Sequence, residues 1–202
     1  MAGMVICAHH LPGRIPQSLA RAHSMGVGVF ELRQGRTFDH TQFSVGTQTA
    51  SVRPSVSVRN LQRKIPVNIA ELETFAADAV KRCLRLKKGK RTDLRKLREI
   101  FVWLISDRRI SRLHLQFLGE NGPTDVITFC DGEIFISVET ARRNAREFGN
   151  SLMSEIKLDI AHGLLHLHGF DDRMPADLRR MKDAQEKILR RMGIQIGVVS
   201  QV

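Results

Sequence analysis

His162-Gly163-Leu164-Leu165-His166-Leu167-His168-Gly169-Phe170-Asp171-Asp172 is the stretch on which the reading of this chain turns. His162 and His166 stand four apart in an apolar, helix-like run, and side chains at i and i+4 share one helix face. The spacing therefore predicts two imidazoles side by side. Gly169 follows three residues after His166, where a glycine can take the left-handed conformation that ends a helix and reverses the chain. Asp172 can then return a carboxylate toward the rings, which makes His162, His166 and Asp172 a candidate metal-ligand set. His168 and Asp171 are the alternatives for the third ligand. His168, two residues after His166, points to a different part of the helix surface, and Asp171 suits a hydrogen-bonding role in the turn.

The pattern His-x3-His-x2-Gly-x2-Asp parallels the long zinc signature of metzincin peptidases, in which two ligands come from a helix and a third from beyond a glycine turn. Those enzymes carry a Glu after the first His as general base. Here that position is Gly163, which cannot act as a base. Three protein ligands and an open fourth position still suit an ion that acidifies water. The expectation is metal-assisted hydrolysis other than peptidase chemistry.

The same residues resemble the YbeY family of single-strand-specific metallo-endoribonucleases, whose pattern is His-Gly-x-Leu-His-Leu-x-Gly-Tyr-Asp-His. The resemblance extends back through Gly122-Pro123-Thr124-Asp125-Val126-Ile127-Thr128-Phe129, similar to the family's Pro-Thr-Asp-Val-Leu-Ser-Phe strand, and through Gly132-Glu133-Ile134-Phe135-Ile136-Ser137, similar to its Gly-Asp-Ile-x-Ile-Ser strand. It covers roughly residues 56–193. It implies a hydrolase of ribosome biogenesis that cleaves single-stranded RNA, matures the 3′ end of small-subunit rRNA and serves ribosome quality control. It also implies one Zn2+ per chain on His162, His166 and Asp172, and a site at Thr124-Asp125 beside the metal cleft. The chain departs from the family twice. Asp172 stands where the family usually has His, an accepted zinc ligand whose charge makes bound water less acidic. Two His and a carboxylate also resemble non-haem iron sites, so another divalent ion is an alternative to zinc. The second departure is Leu118, where family members carry an Arg near the RNA. His114, one turn earlier on the same helix face, is expected to substitute for it. The alternative function is a ribosome-assembly or RNA-binding factor in which the metal is mainly structural.

A formal net charge of +11 over 202 residues favours a polyanionic partner through phosphate neutralisation and counterion release. Basic residues cluster at Lys81-Arg82, Arg85, Lys87-Lys88, Lys90-Arg91, Arg95-Lys96, Arg108-Arg109 and Arg179-Arg180. With no Tyr and one Trp, a platform of stacked bases is disfavoured against a basic groove that grips the backbone. The three cysteines have no Cys-x-x-Cys spacing and indicate neither a disulfide framework nor a thiolate zinc site, which fits a reducing, cytoplasmic setting. No apolar run approaches the roughly 20 residues of a membrane span, so no membrane partner is expected. The sequence does not speak to oligomeric state.

The expected architecture is α/β (α+β): a small mixed four-stranded sheet packed with about five helices, the metal site at the end of a C-terminal helix. Three segments are expected: a basic, disordered extension over 1–53, the metallohydrolase domain over 54–194 and a flexible tail over 195–202. The arginines at 14, 21, 33 and 36, against only Glu31 and Asp39, resemble an organellar transit segment, the alternative to a cytoplasmic location. Within the domain, residues 56–60 read as a strand and 68–84 as a helix. The apolar run 100–105 reads as the strand at the sheet centre. Asp107 is expected to cap a helix over 107–118 with Ile110, Leu113 and Phe117 inward. Two strands, 125–130 and 133–138, join across Asp131-Gly132. Helices follow over 139–148, from 154 through the metal motif, and from Pro175, where Met181, Ala184, Ile188 and Leu189 form a core stripe.

Overall fold

The structure, a computed structural model, describes residues 53–87 and 94–195 together with the backbone of Met4–Ile6. The elements in chain order are β1 (Met4–Ile6), β2 (Ser55–Asn60), α1 (Ile69–Cys83), a 3-10 turn (Leu94–Lys96), β3 (Glu99–Ile105), α2 (Asp107–Leu118), β4 (Val126–Phe129), β5 (Glu133–Ser137), α3 (Val138–Glu147), α4 (Leu152–Leu167) and α5 (Pro175–Arg190). The mixed sheet of the expected four strands is present with the five helices, and β1 adds a fifth strand. The sheet order is β1-β4-β5-β3-β2. β2, β3 and β5 run parallel, β4 is antiparallel to β5, and β1 is parallel to β4.

Within the extension over 1–53, Met4–Ile6 pairs with β4 from Ile127 to Phe129. The pairing supplies hydrogen-bond partners to what would otherwise be an open sheet edge. The rest of that segment up to residue 52, residues 88–93 and the tail from 196 lie outside the described residues. One expectation changes: β3 lies between β5 and the edge strand β2, so the central strand is β5. Its continuous apolar composition still has the expected cause. Ile100, Val102 and Leu104 are fully buried on one face, and Trp103 and Ile105 are buried on the other.

Strand alternation assigns the two faces of the sheet. Thr128 and Ile134 face α4, against Gly163. Phe129 and Phe135 face the opposite side, where Phe117 of α2 meets Phe129 edge-on at 5.1 Å. The β4–β5 turn is tight as expected, with Gly132 at φ 108° and its N–H on the Phe129 carbonyl.

The starts of α2 and α3 are joined. Ser106, not Asp107, is the N-cap of α2, and it makes no side-chain cap hydrogen bond. The Asp107 carboxylate instead accepts from Ser137 and Thr140 at the start of α3, while Glu139 of α3 accepts the Asp107 N–H at 2.7 Å. The Glu139 carboxylate thus caps the start of α2, while α3 is capped by its own Ser137, which accepts from the Thr140 N–H at 3.3 Å. Burial works to raise Asp107, but hydrogen bonds from Arg143, Ser137 and Thr140 outweigh it and hold the carboxyl below its ordinary value.

Candidate metal centre

α4 is a helix buried almost all round, and that burial fixes where its polar residues go. Ser151 caps it by accepting from the Ser154 N–H at 3.0 Å. At the other end the Gly169 N–H donates to the His166 carbonyl and the Phe170 N–H to the Leu165 carbonyl, with Gly169 at φ 89°. These two bonds are the Schellman termination. The turn brings Asp172 back beside the helix it has just left.

His162, His166 and Asp172 are thereby brought together, their ligand atoms all within 4.8 Å of one another. His166 Nε2 lies 3.0 Å from His162 Nε2, and Asp172 Oδ2 is 3.7 and 3.8 Å from the His162 and His166 Nε2 atoms. A tetrahedral zinc ion with bonds of about 2.0–2.1 Å needs ligand atoms about 3.3 Å apart. The triangle fits after shifts of a few tenths of an ångström.

The remaining ring nitrogens decide the tautomers. His166 Nδ1 is 3.2 Å from the Phe170 carbonyl, which can only accept, so Nδ1 carries the proton. His162 Nδ1 likewise donates to Gln185 Oε1 at 3.2 Å. Burial and the neighbouring His162 push His166 down to about 4. Burial also lowers His162, against the hydrogen bond it donates to Gln185. Both rings are neutral at pH 7, and each turns a lone pair at Nε2 toward the other and toward a carboxylate. A shared cation stabilises that arrangement, and a donor set of two imidazoles and one carboxylate suits a borderline ion.

The alternatives for the third ligand are engaged elsewhere. His168 is buried with Nε2 3.2 Å from the Leu86 carbonyl. Asp171 accepts from the N–H groups of Asp172 and Arg173 and pairs with the Arg173 guanidinium. Gly163 has a packing reason: a Cβ there would lie 2.9 Å from two Ile134 side-chain carbons and 3.0 Å from Thr128 Oγ1. The residue after the first His faces the sheet, so a glutamate base has no room at that position.

His114 is engaged at the end of its own helix. Its Nδ1 donates to the Gly122 carbonyl at 3.0 Å and its Nε2 faces Glu120 at 3.2 Å, so it holds the 119–122 loop. That loop leads to Asp125, which is 7 % exposed and accepts at Oδ1 from the Val126 N–H and Thr124 Oγ1. The Asp125 carboxylate favours protonation of His162.

Sequence reasoning missed Gln185, Glu155 and Asp159. Glu155 and Asp159, one helical turn apart on α4, are buried with Asp125 nearby. Glu155 Oε1, Asp159 Oδ2 and Thr128 Oγ1 have no hydrogen-bond partner among the described residues. Burial first, then Asp125 and Glu155, push Asp159 well above the ordinary carboxylate range. An acid raised in the folded state contributes most below its ordinary value near 3.8 and costs stability as pH rises toward its folded value. Asp159→Asn removes the ionisation though not the polar atom that lacks a partner, and is therefore expected to stabilise the protein at neutral pH but not at pH 4. Thermal melts should show a gain of a few degrees at pH 7.5 that shrinks toward pH 4. A gain independent of pH would remove ionisation from the account.

Fold and site together define a small mixed α/β protein whose long buried helix and its terminal turn carry a candidate metal centre. The family model described as Endoribonuclease YbeY matches residues 57–193, and the chain belongs to the YbeY family. Similar curated proteins include an Endoribonuclease YbeY of Anaeromyxobacter sp., 37% identical over 106 residues, 48% of this chain and 55% of the relative. The one from Heliobacterium modesticaldum is 36% identical over 118 residues, 48% of this chain and 71% of that protein. The Endoribonuclease YBEY, chloroplastic, of Arabidopsis thaliana is 30% identical over 156 residues, 68% of this chain and 26% of the plant protein. This chain thus spans about half of the Anaeromyxobacter relative and a quarter of the plant one. A solution structure of a Thermotoga maritima protein aligns over 68% of this chain and 91% of its own, at 24% identity and a TM-score of 0.47.

Proposed function

We propose that the protein is a metal-dependent endoribonuclease acting on single-stranded RNA, with rRNA its substrate, the 3′ end of small-subunit rRNA its point of action and ribosome quality control a further task. One observation carries the reading: two neutral imidazoles present Nε2 lone pairs 3.0 Å apart beside the buried Asp172 carboxylate, inside a chain of the YbeY family. His162, His166 and Asp172 hold the ion, with zinc the first choice. Bound there, a divalent ion supplies Lewis acidity toward a phosphoryl oxygen and lowers the pKa of water.

The chain's own groups do the rest. Asp125 orients the attacking water at the edge of the cluster. His114 holds the 119–122 loop that carries the chain into Asp125, and in that role takes the place of the missing Arg. Exposed arginines and lysines, among them Arg108, Arg142 and Arg146, grip the phosphate backbone. Leu118, at the end of α2, favours a second reading, an RNA-binding assembly factor with a structural metal. No helix among the described residues is long and apolar enough to cross a membrane. We place the protein in the cytoplasm, with an organelle as the alternative that the name of the plant relative suggests.

Cleavage of a single-stranded oligoribonucleotide, with and without chelator, tests the reading. Cleavage lost on chelation and restored by zinc, in a protein whose circular dichroism is unchanged, supports the enzyme. RNA binding without cleavage selects the assembly factor. In the same assay His114→Ala is expected to slow cleavage about tenfold, and an unchanged rate would count against its role.

A further inference from the structure

We propose that Gln185, on a different helix from both histidines, is the positioning residue that fixes the tautomer and orientation of His162 and so sets the affinity of the metal centre. The inference rests on the metal reading above and adds to it a determinant outside the ligand motif.

His162 is the more exposed of the two imidazoles. Its side chain is 16 % exposed against 2 % for His166. His166 is held by a backbone carbonyl that the Schellman turn places for it, a partner that no substitution removes. His162 Nδ1 donates instead to a side chain, Gln185 Oε1 at 3.2 Å. Gln185 is fixed in turn by its helix. Met181, Ala184, Ile188 and Leu189 of α5 are buried against α4, so position 185 is carried on a seated helix.

The chemistry follows from the donor and acceptor inventory. A neutral imidazole that donates from Nδ1 must accept at Nε2, the atom that faces His166 and Asp172. Without an acceptor at Nδ1 the ring can carry its proton on Nε2 and be lost as a ligand, or rotate toward solvent. Such supporting partners are typically worth 10- to 100-fold in metal affinity. An amide oxygen gives this support without adding a second negative charge beside Asp172, and so leaves the loaded centre with one net positive charge toward a phosphodiester. A carboxylate at 185 would polarise the ring more and bind the ion more tightly.

Zinc dissociation constants for the wild type, Gln185→Leu and Gln185→Glu, measured by competition with a chromophoric chelator, test the proposal. Nitrogen-correlated NMR of the metal-free proteins follows the His162 Nδ1–H alongside. Gln185→Leu is expected to weaken zinc binding 10- to 100-fold and to lose the slowly exchanging Nδ1–H signal. Gln185→Glu should keep the signal and bind at least as tightly as the wild type. Equal affinity in all three proteins would overturn the inference while leaving the metal centre standing. A wild type that binds no zinc would overturn the metal reading and this inference with it. If Gln185→Leu fails to fold, the glutamate variant still decides, since affinity below the wild type would sink the proposal.

Discussion

Asp172→Ala and His166→Ala are each expected to reduce bound zinc from about one ion per chain to a trace, read by elemental mass spectrometry of the purified proteins. Either change leaves two protein ligands, and the loss should exceed the 10- to 100-fold typical of a supporting hydrogen bond. The two alternatives for the third ligand are engaged elsewhere among the described residues. His168 is committed to the Leu86 carbonyl and Asp171 to its own turn and Arg173. Metal retained by Asp172→Ala would mean that one of these leaves its partner. The same site predicts an unusual acid tolerance. A ligand imidazole must be neutral, and His166 is pushed down to about 4 by burial and by His162. At His166 protonation therefore competes with the ion only as pH falls toward that value, and at His162 burial shifts the same competition below the ordinary range. Zinc occupancy should hold at pH 5.5, where an ordinary histidine near 6.5 would already be mostly charged. Release at pH 6 to 7 would show that the rings are less buried than the structure has them.

Gly163→Glu, the substitution that would complete a His-Glu-x-x-His motif, is expected to disrupt folding rather than confer peptidase activity. The new Cβ would meet Ile134 at 2.9 Å and Thr128 Oγ1 at 3.0 Å. The carboxylate beyond it would enter a region where Glu155 and Asp159 already lack hydrogen-bond partners at one oxygen each. Overpacking costs about 1–3 kcal/mol, and an unpaired buried charge adds several more. The sum rivals the whole stability of a typical domain. Gly163→Ala separates the two parts. It keeps the steric conflict, gains about 1 kcal/mol of helix propensity and should fold with a modestly lower melting temperature. A well-folded Gly163→Glu protein, measured by urea denaturation, would show that α4 can lift off the sheet.

Much of the site was legible because it is local. Two histidines four apart, a glycine at the helix end and a carboxylate three residues later lie within eleven positions, and the helical period and the Schellman turn convert that spacing directly into geometry. The β4–β5 hairpin was readable for the same reason, as was the core stripe of α5. What failed to show in the sequence depends on pairs far apart in the chain. Gln185 reaches His162 across 23 positions, and a glutamine on an amphipathic helix has no signature that separates support from solvent exposure. Glu155 and Asp159 read as ordinary polar helix residues, since only the packing of α4 reveals that they are buried. Asp107 was assigned to its own helix because local capping is the usual arrangement, and its true partners are 30 and 33 positions away. β3 was placed one strand too near the centre because an apolar run reports burial on two faces and not the order of neighbours.

The exchange of carboxylates between the starts of α2 and α3 also bears on the order in which the chain acquires structure. Strand β3 leads into α2 and strand β5 into α3, and the two strands are parallel neighbours. The Glu139 carboxylate reaches the Asp107 N–H, and the Asp107 carboxylate the Ser137 and Thr140 hydroxyls, only once those strands are in register, so these bonds are non-local although the Ser137 cap of α3 is not. Helices of 12 and 10 residues are marginal in water by themselves. Both should therefore remain largely unformed in the early collapsed chain and consolidate together with the β3–β5 pairing, which ties the slow closure of a parallel strand pair to the appearance of two helices in a single cooperative step.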